Sequence, residues 1–278
     1  MLLTATIMIV LVTGCRSGFG LLIAVAAARA GHQVYAGLRD LKTRERLEAA
    51  AAGLPVTPIQ LDVTDPQERQ AALTRILAKH GRIDALINNA GIALGGFIEQ
   101  LGDDELRQVF EVNVFGALAL MQLCLPTFRG QRSGVIINIS SMSGRAGLPG
   151  LGGYAASKFA LEGMTEALRH EMRPFGVRVA LVEPGPYKTD IFGRNRRVAA
   201  KSESPGDYAK MGAKMESIFS EVKMGDPREV ADLVVNILSD PRPRLRYPLG
   251  PKVRGRLWMN RILSFELQEK IIARVLGF

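Results

Sequence analysis

The chain has 278 residues, only 2 cysteines and a net charge of +9 at pH 7. Two cysteines cannot build a disulfide framework, and the 3 histidines lack metal-ligand spacing, so neither a disulfide-rich secreted domain nor a metal centre is expected. The first apolar run stops at Gly14, well short of the roughly 20 residues that span a bilayer, and no basic stretch precedes it as in a signal peptide. These features predict a cytoplasmic protein with a single domain.

The N-terminal segment predicts a strand, a glycine turn and a helix, in that order. Residues 7–11 are apolar and rich in β-branched side chains, which is typical of a buried strand. The glycine-rich residues 13–20 follow, and the alanine-rich residues 21–29 predict a helix. Glycines let the backbone approach a pyrophosphate closely, and a helix N-terminus favours its negative charge. The segment therefore indicates a dinucleotide site.

The end of the second predicted strand indicates the type of dinucleotide. Residues 33–38 form that strand, and Arg39 follows it, about twenty residues after the glycines. An acidic residue at this point would bind the ribose hydroxyl of NAD, whereas an arginine accepts the 2′-phosphate of NADP. Arg39 therefore predicts NADP(H) in preference to NAD(H), with Arg16 as a second candidate cation. Asp40, beside Arg39, keeps NAD(H) as the alternative.

Strand-like and helical stretches alternate along the rest of the chain. The strand-like runs are residues 56–61, 85–87, 135–139, 177–182 and 244–248. This alternation predicts an α/β fold with a doubly wound parallel sheet of the Rossmann type. We expect residues 1–250 to form this domain and residues 251–278 to form a helical extension packed on it.

Tyr154 and Lys158 lie four residues apart in a stretch that is predicted to be helical. On a helix, this spacing puts the phenol and the ammonium on one face, roughly 5 to 6 Å apart at Cβ. A nearby cation stabilises a phenolate, so Lys158 is expected to lower the pKa of Tyr154 from about 10 towards 7. Such a tyrosine can serve as an acid or a base.

Five segments in the same order resemble motifs of the short-chain dehydrogenase/reductase family. Residues 13–20 resemble its TGxxxGxG turn, and residues 88–91 its NNAG segment. Residues 113–116 resemble its NVxG segment, and residues 154–158 its YxxxK pair. Residues 184–189 resemble the segment that contacts the nicotinamide. The resemblance extends over most of the chain.

The resemblance implies a set of catalytic residues. Ser141 stands 13 positions before Tyr154, the spacing of the family's catalytic serine, and would hydrogen-bond the substrate oxygen. Tyr154 would give or take the proton, and Lys158 would bind the nicotinamide ribose. Asn113 would hold a water that relays protons to the solvent. Hydride would pass directly between the cofactor and the substrate carbon.

The resemblance also implies the contacts of the cofactor. Asp62 and Val63, after the third strand, would contact the adenine, and Thr189 would bind the carboxamide or a phosphate. The residues implied for the nicotinamide dinucleotide are Gly14, Arg16, Ser17, Gly18, Phe19, Gly20, Arg39, Asp62, Val63, Asn89, Ala90, Gly91, Tyr154, Lys158, Pro184, Gly185 and Thr189.

The segment after the last motif predicts a lid over the substrate, at about residues 186–226. Its apolar side chains are Ile191, Phe192, Met211, Met215, Ile218 and Phe219. An apolar lid favours an apolar ligand. Residues 35–43 and 157–163 also resemble the hydroxysteroid and retinol dehydrogenase branch of the family, which implies a lipophilic, steroid- or retinoid-like ketone, aldehyde or alcohol.

Other functions stay open at this point. A 3-oxoacyl reductase or a general carbonyl reductase of the same family would carry the same motifs, although the oxoacyl reductases usually end soon after the last strand. A non-catalytic NADP-binding redox sensor would keep the glycine turn but would have no need of Ser141, Tyr154 and Lys158 together.

The family resemblance further implies a homodimer or a homotetramer. In the family, the equivalents of the long helical stretches 103–127 and 154–173 form the subunit interface. Ordinary packing of these helices on the sheet is the alternative.

Residues 241–278 carry most of the net charge. Nine lysines and arginines stand against two glutamates there, a local charge of +7 out of +9. Apolar residues recur in this segment at helical spacing: Leu257, Trp258, Met259, Ile262, Leu263, Leu267, Ile271, Ile272, Val275 and Leu276. We expect this apolar stripe to pack over the substrate cleft with the basic face in water; a membrane surface is the alternative. Nucleic acid is not expected, because aromatic residues for base stacking are few.

Overall fold

The computed structural model describes residues 7–192, 197–203 and 206–277. The strands within these ranges are β1 (Ile9–Val12), β2 (Gln33–Leu38), β3 (Val56–Gln60), β4 (Ala85–Asn88), β5 (Leu94–Gly95), β6 (Gly134–Ile139), β7 (Val177–Pro184), β8 (Arg197–Val198) and β9 (Arg246–Leu249). The α-helices are α1 (Gly18–Arg29), α2 (Glu45–Ala50), α3 (Pro66–His80), α4 (Asp103–Phe110), α5 (Gly116–Gln131), α6 (Gly152–Met172), α7 (Ala209–Glu221), α8 (Arg228–Ser239), α9 (Val253–Ile262) and α10 (Phe265–Leu276).

Seven of the strands form one parallel sheet in the order β3-β2-β1-β4-β6-β7-β9. The chain winds outward from β1 to β3, returns to β4 beside β1, and then winds in the other direction to β9. The predicted doubly wound parallel sheet in a single domain is confirmed. β2 covers residues 33–38 as predicted, whereas β1 begins at Ile9, two residues later than predicted.

Helices cover both faces of the sheet because successive strand side chains point to opposite faces. In β1, Val10 and Val12 belong to the core formed with α1 and α8. Ile9 and Leu11 belong to the core formed with α3, α5 and α6. Each fully buried aliphatic side chain contributes about 1.5 to 3 kcal/mol. The two cores make the sheet a firm support for the loops at its carboxyl edge.

The strand order reverses between β1 and β4. In open parallel sheets, a ligand crevice forms at such a point, outside the carboxyl ends of the strands. The fold therefore places the glycine turn, residues 13–20, and the loop after β4, residues 89–92, on the two sides of one crevice.

The segment Asp103–Gln131 is long and apolar enough to cross a membrane by length and composition alone. In the fold it comprises α4, the π-helical turn Glu111–Phe115 and α5. Leu120, Cys124 and Phe128 of α5 are buried in the core beneath the sheet. Burial in the protein core accounts for the apolar side chains at these three positions.

The predicted lid and the C-terminal extension both contain helices. The lid includes β8 and α7, and its residues 193–196 and 204–205 lie outside the described part of the chain. β8 pairs in parallel with β5, which fastens one strand of the lid to the body of the domain. The extension forms α9, which contacts β9, and α10, which contacts α7.

The apolar stripe of the extension is mostly uncovered. Leu276 is buried, but six of the stripe residues are exposed, namely Trp258, Met259, Ile262, Leu267, Ile271 and Val275. The expectation that the stripe packs over the substrate cleft is therefore wrong for these six side chains. The helical pattern was right, but α9 and α10 pack mainly on β9 and α7, and these elements cover one side of each helix.

Candidate active site

A cavity of about 1070 Å³ lies at the carboxyl ends of the parallel strands. Loops that follow β1, β2, β3, β4, β6 and β7 line it together with α6. The predicted site residues in its wall are Gly14, Arg16, Ser17, Gly18, Phe19, Arg39, Asp62, Val63, Asn89, Ala90, Gly91, Ser141, Tyr154, Lys158, Pro184, Gly185 and Thr189. The two remaining predicted residues, Gly20 and Asn113, are buried and support the wall from behind.

The glycine turn has little room for side chains. Gly14 has a φ of +70°, and a Cβ there would lie 2.9 Å from the Cα of Ala90. A Cβ on Gly20 would lie 2.3 Å from the carbonyl oxygen of Gly14. Glycine is therefore required at Gly14 for the backbone conformation and at Gly20 for the close packing of α1 under the turn.

Thr13 and Asn89 hold the glycine turn against the loop after β4. The Thr13 Oγ1 accepts hydrogen bonds from the backbone amides of Asn89 and Ala90, both at 2.9 Å. The Asn89 Nδ2 donates to the carbonyl oxygens of Thr13 and Gly14 at 2.8 and 3.2 Å. The motifs predicted Asn89 as a cofactor contact, whereas its side-chain amide supports the backbone of the turn.

The first turn of α1 suits an anion. Ser17 precedes α1, and among the described residues its side chain makes no capping hydrogen bond to the helix. The first turn also carries no acidic residue. Uncapped N–H groups at a helix N-terminus favour a phosphate. The turn and the helix together therefore fit the pyrophosphate of a dinucleotide.

Two arginines stand at the same end of the cavity. Arg16 and Arg39 are exposed cavity residues, and neither forms an ion pair with any described residue. Asp40, the acidic rival, accepts a hydrogen bond from the Lys42 amide at 2.9 Å and caps the short 3₁₀ turn Leu41–Thr43. Asp40 also lines the cavity, with one carboxylate oxygen engaged within its own loop, whereas neither guanidinium group has an ion-pair partner among the described residues.

The predicted adenine and nicotinamide contacts lie on opposite sides of the glycine turn. The Asp62 Oδ1 accepts hydrogen bonds from the Thr64 amide at 2.9 Å and from the Thr64 hydroxyl at 2.8 Å. A Cβ on Gly18 would lie 3.5 Å from the Cβ of Thr189. The segment after β7 therefore reaches the glycine turn, which places Thr189 beside the predicted pyrophosphate site.

Ser141 and Tyr154 form a hydrogen-bonded pair in the cavity wall. Ser141 follows β6, and its Oγ accepts a hydrogen bond from the Ser143 amide at 3.1 Å. Burial raises the pKa of Tyr154 to about 12, and the hydrogen bond with Ser141 lowers this pKa by a smaller amount. The direction is opposite to the expected shift towards 7, because the loss of water on burial outweighs the hydrogen bond with Ser141. The phenol is therefore protonated at neutral pH.

Lys158 lies one turn after Tyr154 on α6, as predicted. Its Nζ donates to the carbonyl oxygen of Ile139 at 2.9 Å and lies 5.8 Å from the centre of the Tyr154 ring. Burial lowers the pKa of Lys158 to about 8, and the charge of Glu162, one turn further along, raises it by a smaller amount. The ammonium is close enough to stabilise a phenolate, but burial weakens its own hold on the proton.

Asn113 lies buried in the π-helical turn between α4 and α5. Its Oδ1 accepts a hydrogen bond from the Ile92 amide at 2.8 Å. Its Nδ2 donates to the Ile92 carbonyl oxygen at 2.9 Å and to the Ser157 Oγ at 3.0 Å. The side chain thus joins the loop after β4 to α6. Both Nδ2 hydrogens have protein partners, so a relayed water must use the second lone pair of Oδ1 or the backbone.

The cavity wall also includes residues that were not among the predicted site residues, for example Ile92, Val112, Tyr187 and Arg197. Tyr187 lies inside a predicted motif, and its hydroxyl donates to the Glu229 Oε2 at 2.9 Å. Arg197 has no signal in the sequence, because β8 reaches the cavity only through its pairing with β5.

The apolar side chains of the lid are divided. Ile191 lines the cavity as expected, and the side chain of Phe192 lies outside the described part of the chain. The remaining four, which are half-buried on α7 and do not line the cavity, are Met211, Met215, Ile218 and Phe219. The expectation that these four cover the ligand is wrong for this conformation, because α7 packs beside α10.

A buried ion cluster joins β7, α6 and β9 next to the cavity. The Glu183 Oε1 pairs with Arg145 at 3.1 Å and with Arg246 at 3.3 Å, and Arg246 also pairs with Glu162 at 3.0 Å. Burial and the charge of Glu162 raise the pKa of Glu183. The motifs did not predict this cluster, although Glu183 is the one acidic residue of β7 and stands next to a run of apolar residues, which is a sequence signal for a buried charge.

Comparison with known proteins agrees with this geometry. Residues 8–199 match the family model for short chain dehydrogenase. The chain is 37% identical to the uncharacterized oxidoreductase YusZ of Bacillus subtilis over 276 residues, 96% of this chain and 98% of that protein. It is 39% identical to 17-beta-hydroxysteroid dehydrogenase type 1 of Homo sapiens over 253 residues, 86% of this chain and 76% of that protein. It is 38% identical to retinol dehydrogenase 8 of Homo sapiens over 254 residues, 85% and 79% of the two.

A solved structure shows the same fold. The short-chain dehydrogenase from Streptomyces avermitilis superposes with a TM-score of 0.81 at 35% sequence identity, and the match covers 98% of this chain and 100% of that chain. The family match, the cavity at the strand-order reversal and the Ser141–Tyr154–Lys158 cluster agree. The chain therefore belongs to the short-chain dehydrogenase/reductase family, which binds NAD(P)(H), and is an oxidoreductase acting on alcohol and carbonyl groups.

Proposed function

We propose that the protein is an NADP(H)-dependent oxidoreductase that interconverts a ketone or aldehyde and an alcohol on a lipophilic, steroid- or retinoid-like substrate. One observation carries the proposal. The hydrogen-bonded pair of Ser141 and Tyr154 stands with Lys158 in the same cavity as the glycine turn. The cofactor, when bound, supplies or accepts the hydride.

Tyr154 is the proton donor in the reduction. With its pKa near 12, the phenol keeps its proton until the substrate oxygen has become basic enough to take it. Ser141 hydrogen-bonds the same oxygen and so sets its distance from the phenol. The Lys158 ammonium then stabilises the phenolate that is left behind, and water bound near Asn113 returns a proton. Oxidation of an alcohol runs through the same groups in reverse.

Arg39 and Arg16 support the preference for NADP(H). Both guanidinium groups are exposed at the cavity and have no ion-pair partner among the described residues. Asp40, which would favour NAD(H), is engaged by the Lys42 amide. A charge-assisted hydrogen bond to a phosphate contributes about 1.5 to 3 kcal/mol, which is enough to decide between the two cofactors.

Two kinds of observation support a lipophilic substrate. Ile92, Val112 and Ile191 contribute apolar wall to the cavity. The names of two relatives, at 39% and 38% identity, describe a hydroxysteroid dehydrogenase and a retinol dehydrogenase. Arg197 and Gln108 also line the cavity and bond to each other at 2.6 Å, so we expect the substrate to carry a polar end as well.

A homodimer is the assembly we propose. Phe115 and Phe159 are exposed large apolar side chains, and the π-helical turn that holds Phe115 contacts α6, which holds Phe159. Together they offer an apolar surface that a second copy would cover. Sedimentation of the purified protein tests this: a monomer at micromolar concentration would contradict it.

Turnover with a defined panel tests the function. Purified protein is assayed for NADPH and NADH oxidation with a steroid ketone, retinal, a 3-oxoacyl thioester and small ketones, with Ser141→Ala as the inactive reference. We expect the highest kcat/KM with NADPH and a steroid ketone or retinal. Preference for the thioester would establish the 3-oxoacyl reductase instead. NADPH binding without turnover on any substrate would favour the redox sensor.

A further inference from the structure

Exposed large apolar side chains are concentrated in the C-terminal extension. Thirteen such side chains occur among the described residues, and seven of them lie between positions 258 and 275. The other six are distributed over the rest of the chain from Ile7 to Met224. Scattered exposed apolar residues are normal, whereas a cluster of seven indicates an interaction surface.

In α9 the exposed apolar residues form one edge. Trp258 is 64% exposed, and Ile262, four residues later and thus on the same face, is 58% exposed. Arg254 precedes Trp258 by one turn, and Arg261 lies beside Ile262; both are exposed. At the opposite end of the helix, Val253 packs against Gly185 in the cavity wall. The packing is so close that a Cβ on Gly185 would lie 2.3 Å from the Val253 Cγ2.

In α10 the same pattern is repeated. Leu267, Ile271 and Val275 follow one another at intervals of four residues, and all three are exposed. Glu266, Lys270 and Arg274, also four apart, form the neighbouring exposed row, in which the last two residues are basic. Each helix therefore presents an apolar row with basic side chains along its edge. At the junction of the two helices stands Phe265, which is 75% exposed.

The charge of the extension selects the partner. Residues 251–278 contain six lysines and arginines against two glutamates, Glu266 and Glu269, a net charge of +4. Two copies of this surface would repel each other. An anionic lipid surface would attract the basic side chains, and its apolar interior would cover the apolar rows beside them. Exposed aromatic rings with basic side chains at their edges suit the interface between water and lipid.

We propose that α9 and α10 form a docking surface for an anionic lipid bilayer. The side chains that enter the headgroup region are Trp258 and Ile262 of α9, Phe265 at the start of α10, and the Leu267–Ile271–Val275 row of α10. The basic side chains beside them bind lipid phosphates. This role does not depend on the proposed substrate or cofactor. Because Val253, at the start of α9, packs against Gly185, and α9 is roughly 15 Å long, docking of α9 would hold the cavity near the lipid.

The single tryptophan makes the test specific. Trp258 is the chain's one Trp, so intrinsic Trp emission reports on α9 alone. The full-length protein is mixed with vesicles of phosphatidylcholine containing 30% phosphatidylglycerol or of phosphatidylcholine alone, at about 0.1 M salt, where screening lengths are about 10 Å. We expect co-sedimentation and a blue shift of the emission with the anionic vesicles, both reversed by about 0.5 M salt.

Two paired variants separate charge from exposed apolar surface. Lys270→Gln with Arg274→Gln should lower the vesicle partition coefficient about thirtyfold, as expected for two basic residues at an anionic surface. Arg75→Gln with Lys79→Gln, an exposed pair at the same spacing on α3, should leave it unchanged. Ile262→Ser with Phe265→Ser should abolish the blue shift while thermal unfolding stays unchanged.

Two results would overturn the proposal. One is wild-type protein that stays in the supernatant with anionic vesicles and shows no change in Trp emission. The other is a blue shift that grows with protein concentration in the absence of vesicles and is lost in the Ile262→Ser, Phe265→Ser variant, because this would make a second copy of the chain the occupant of the surface. The experiment does not measure turnover, so failure of the lipid proposal can be distinguished from failure of the proposed function.

Discussion

The catalytic cavity and the C-terminal extension place opposite kinds of side chain in opposite surroundings. Around the cavity, polar groups are buried, and Asn113, Ser157 and Lys158 all have hydrogen-bond partners within the chain. In the extension, apolar groups such as Trp258 and Ile271 are exposed. A buried polar group is costly unless protein atoms replace its water, whereas an exposed apolar group gains free energy only when something covers it. Contacts within the chain therefore account for the buried polar groups of the cavity. The exposed apolar groups of the extension have no such contacts, and a partner would have to cover them.

The largest expected effect tests the cavity. Tyr154→Phe removes the proton donor but keeps the buried ring, so we expect kcat to fall by about 10² to 10⁴, the range for general acid catalysis. NADPH binding and the melting temperature should change little. Steady-state kinetics and a fluorescence titration measure both quantities. Tyr208→Phe is the matched control: it removes a hydroxyl of the lid that donates to Glu99, and the variant should stay active. A Tyr154→Phe variant with more than about a tenth of the wild-type kcat would contradict the assignment.

The next effect concerns the cofactor end of the cavity. Arg39→Asp replaces a cation with an anion, so the ratio of kcat/KM for NADPH to that for NADH should fall about 10- to 100-fold, the equivalent of one charge-assisted hydrogen bond. Arg29→Asp, at the exposed end of α1, has the same change of charge and should leave the ratio unchanged. An unaltered ratio in Arg39→Asp would move the phosphate contact to Arg16.

Two adjacent residues sharpen the description of the extension. Leu276 is 7% exposed and Val275 is 50% exposed. Leu276→Ala should lower the free energy of unfolding by about 2 kcal/mol, the lower end of the range for a buried leucine. Val275→Ala should change it by less than about 0.5 kcal/mol. Urea denaturation of the two variants gives both values. Equal losses of unfolding free energy in the two variants would show that Val275 is covered in solution, and the exposed apolar row would then not be free to bind a partner.

The smallest expected effect is a pH dependence that buried Lys158 introduces. Burial lowers its pKa to about 8, so below pH 8 the folded protein holds a charged, desolvated ammonium that destabilises it. Above pH 8 the folded state releases this proton, while the unfolded chain keeps it up to about 10.4, so stability rises with pH. Between pH 7 and 9, unliganded wild type should gain about 1.4 kcal/mol relative to Lys158→Met. Tyr154, with its pKa of about 12, does not titrate in this window.

The control for this pH series is Lys79→Met, which removes an exposed lysine from α3. Its stability difference from the wild type should be constant between pH 7 and 9. A constant difference in Lys158→Met as well would mean that the ammonium is not desolvated. Burial would then not account for the lowered pKa of Lys158.

The parts of the site that were predictable depend on short stretches of chain. The glycine turn, β2 and the Tyr154–Lys158 spacing each involve residues within a few positions of one another, and the structure brings them to one cavity. Gly14 and Gly20 were predictable for the same reason, since a glycine-rich turn between a strand and a helix has few other uses. The proposed roles of these residues in catalysis remain for the experiments above.

The parts that were not predictable depend on what packs from distant elements. The pKa of Tyr154 moves upward because the residues that bury it come from several loops, which a four-residue spacing cannot reveal. Arg197 reaches the cavity through the pairing of β8 with β5, about a hundred positions apart.

The sequence by itself determined the strand and helix periodicity, the dinucleotide turn, the family and the amphipathic character of the last 28 residues. Tertiary structure alone decided which side of each element is covered. Periodicity reports that a helix has an apolar face, because it reflects neighbours three and four residues apart. Whether that face is buried depends on whether another element of the fold lies against it. For α5 the sheet does, and for most of α9 and α10 no described element does.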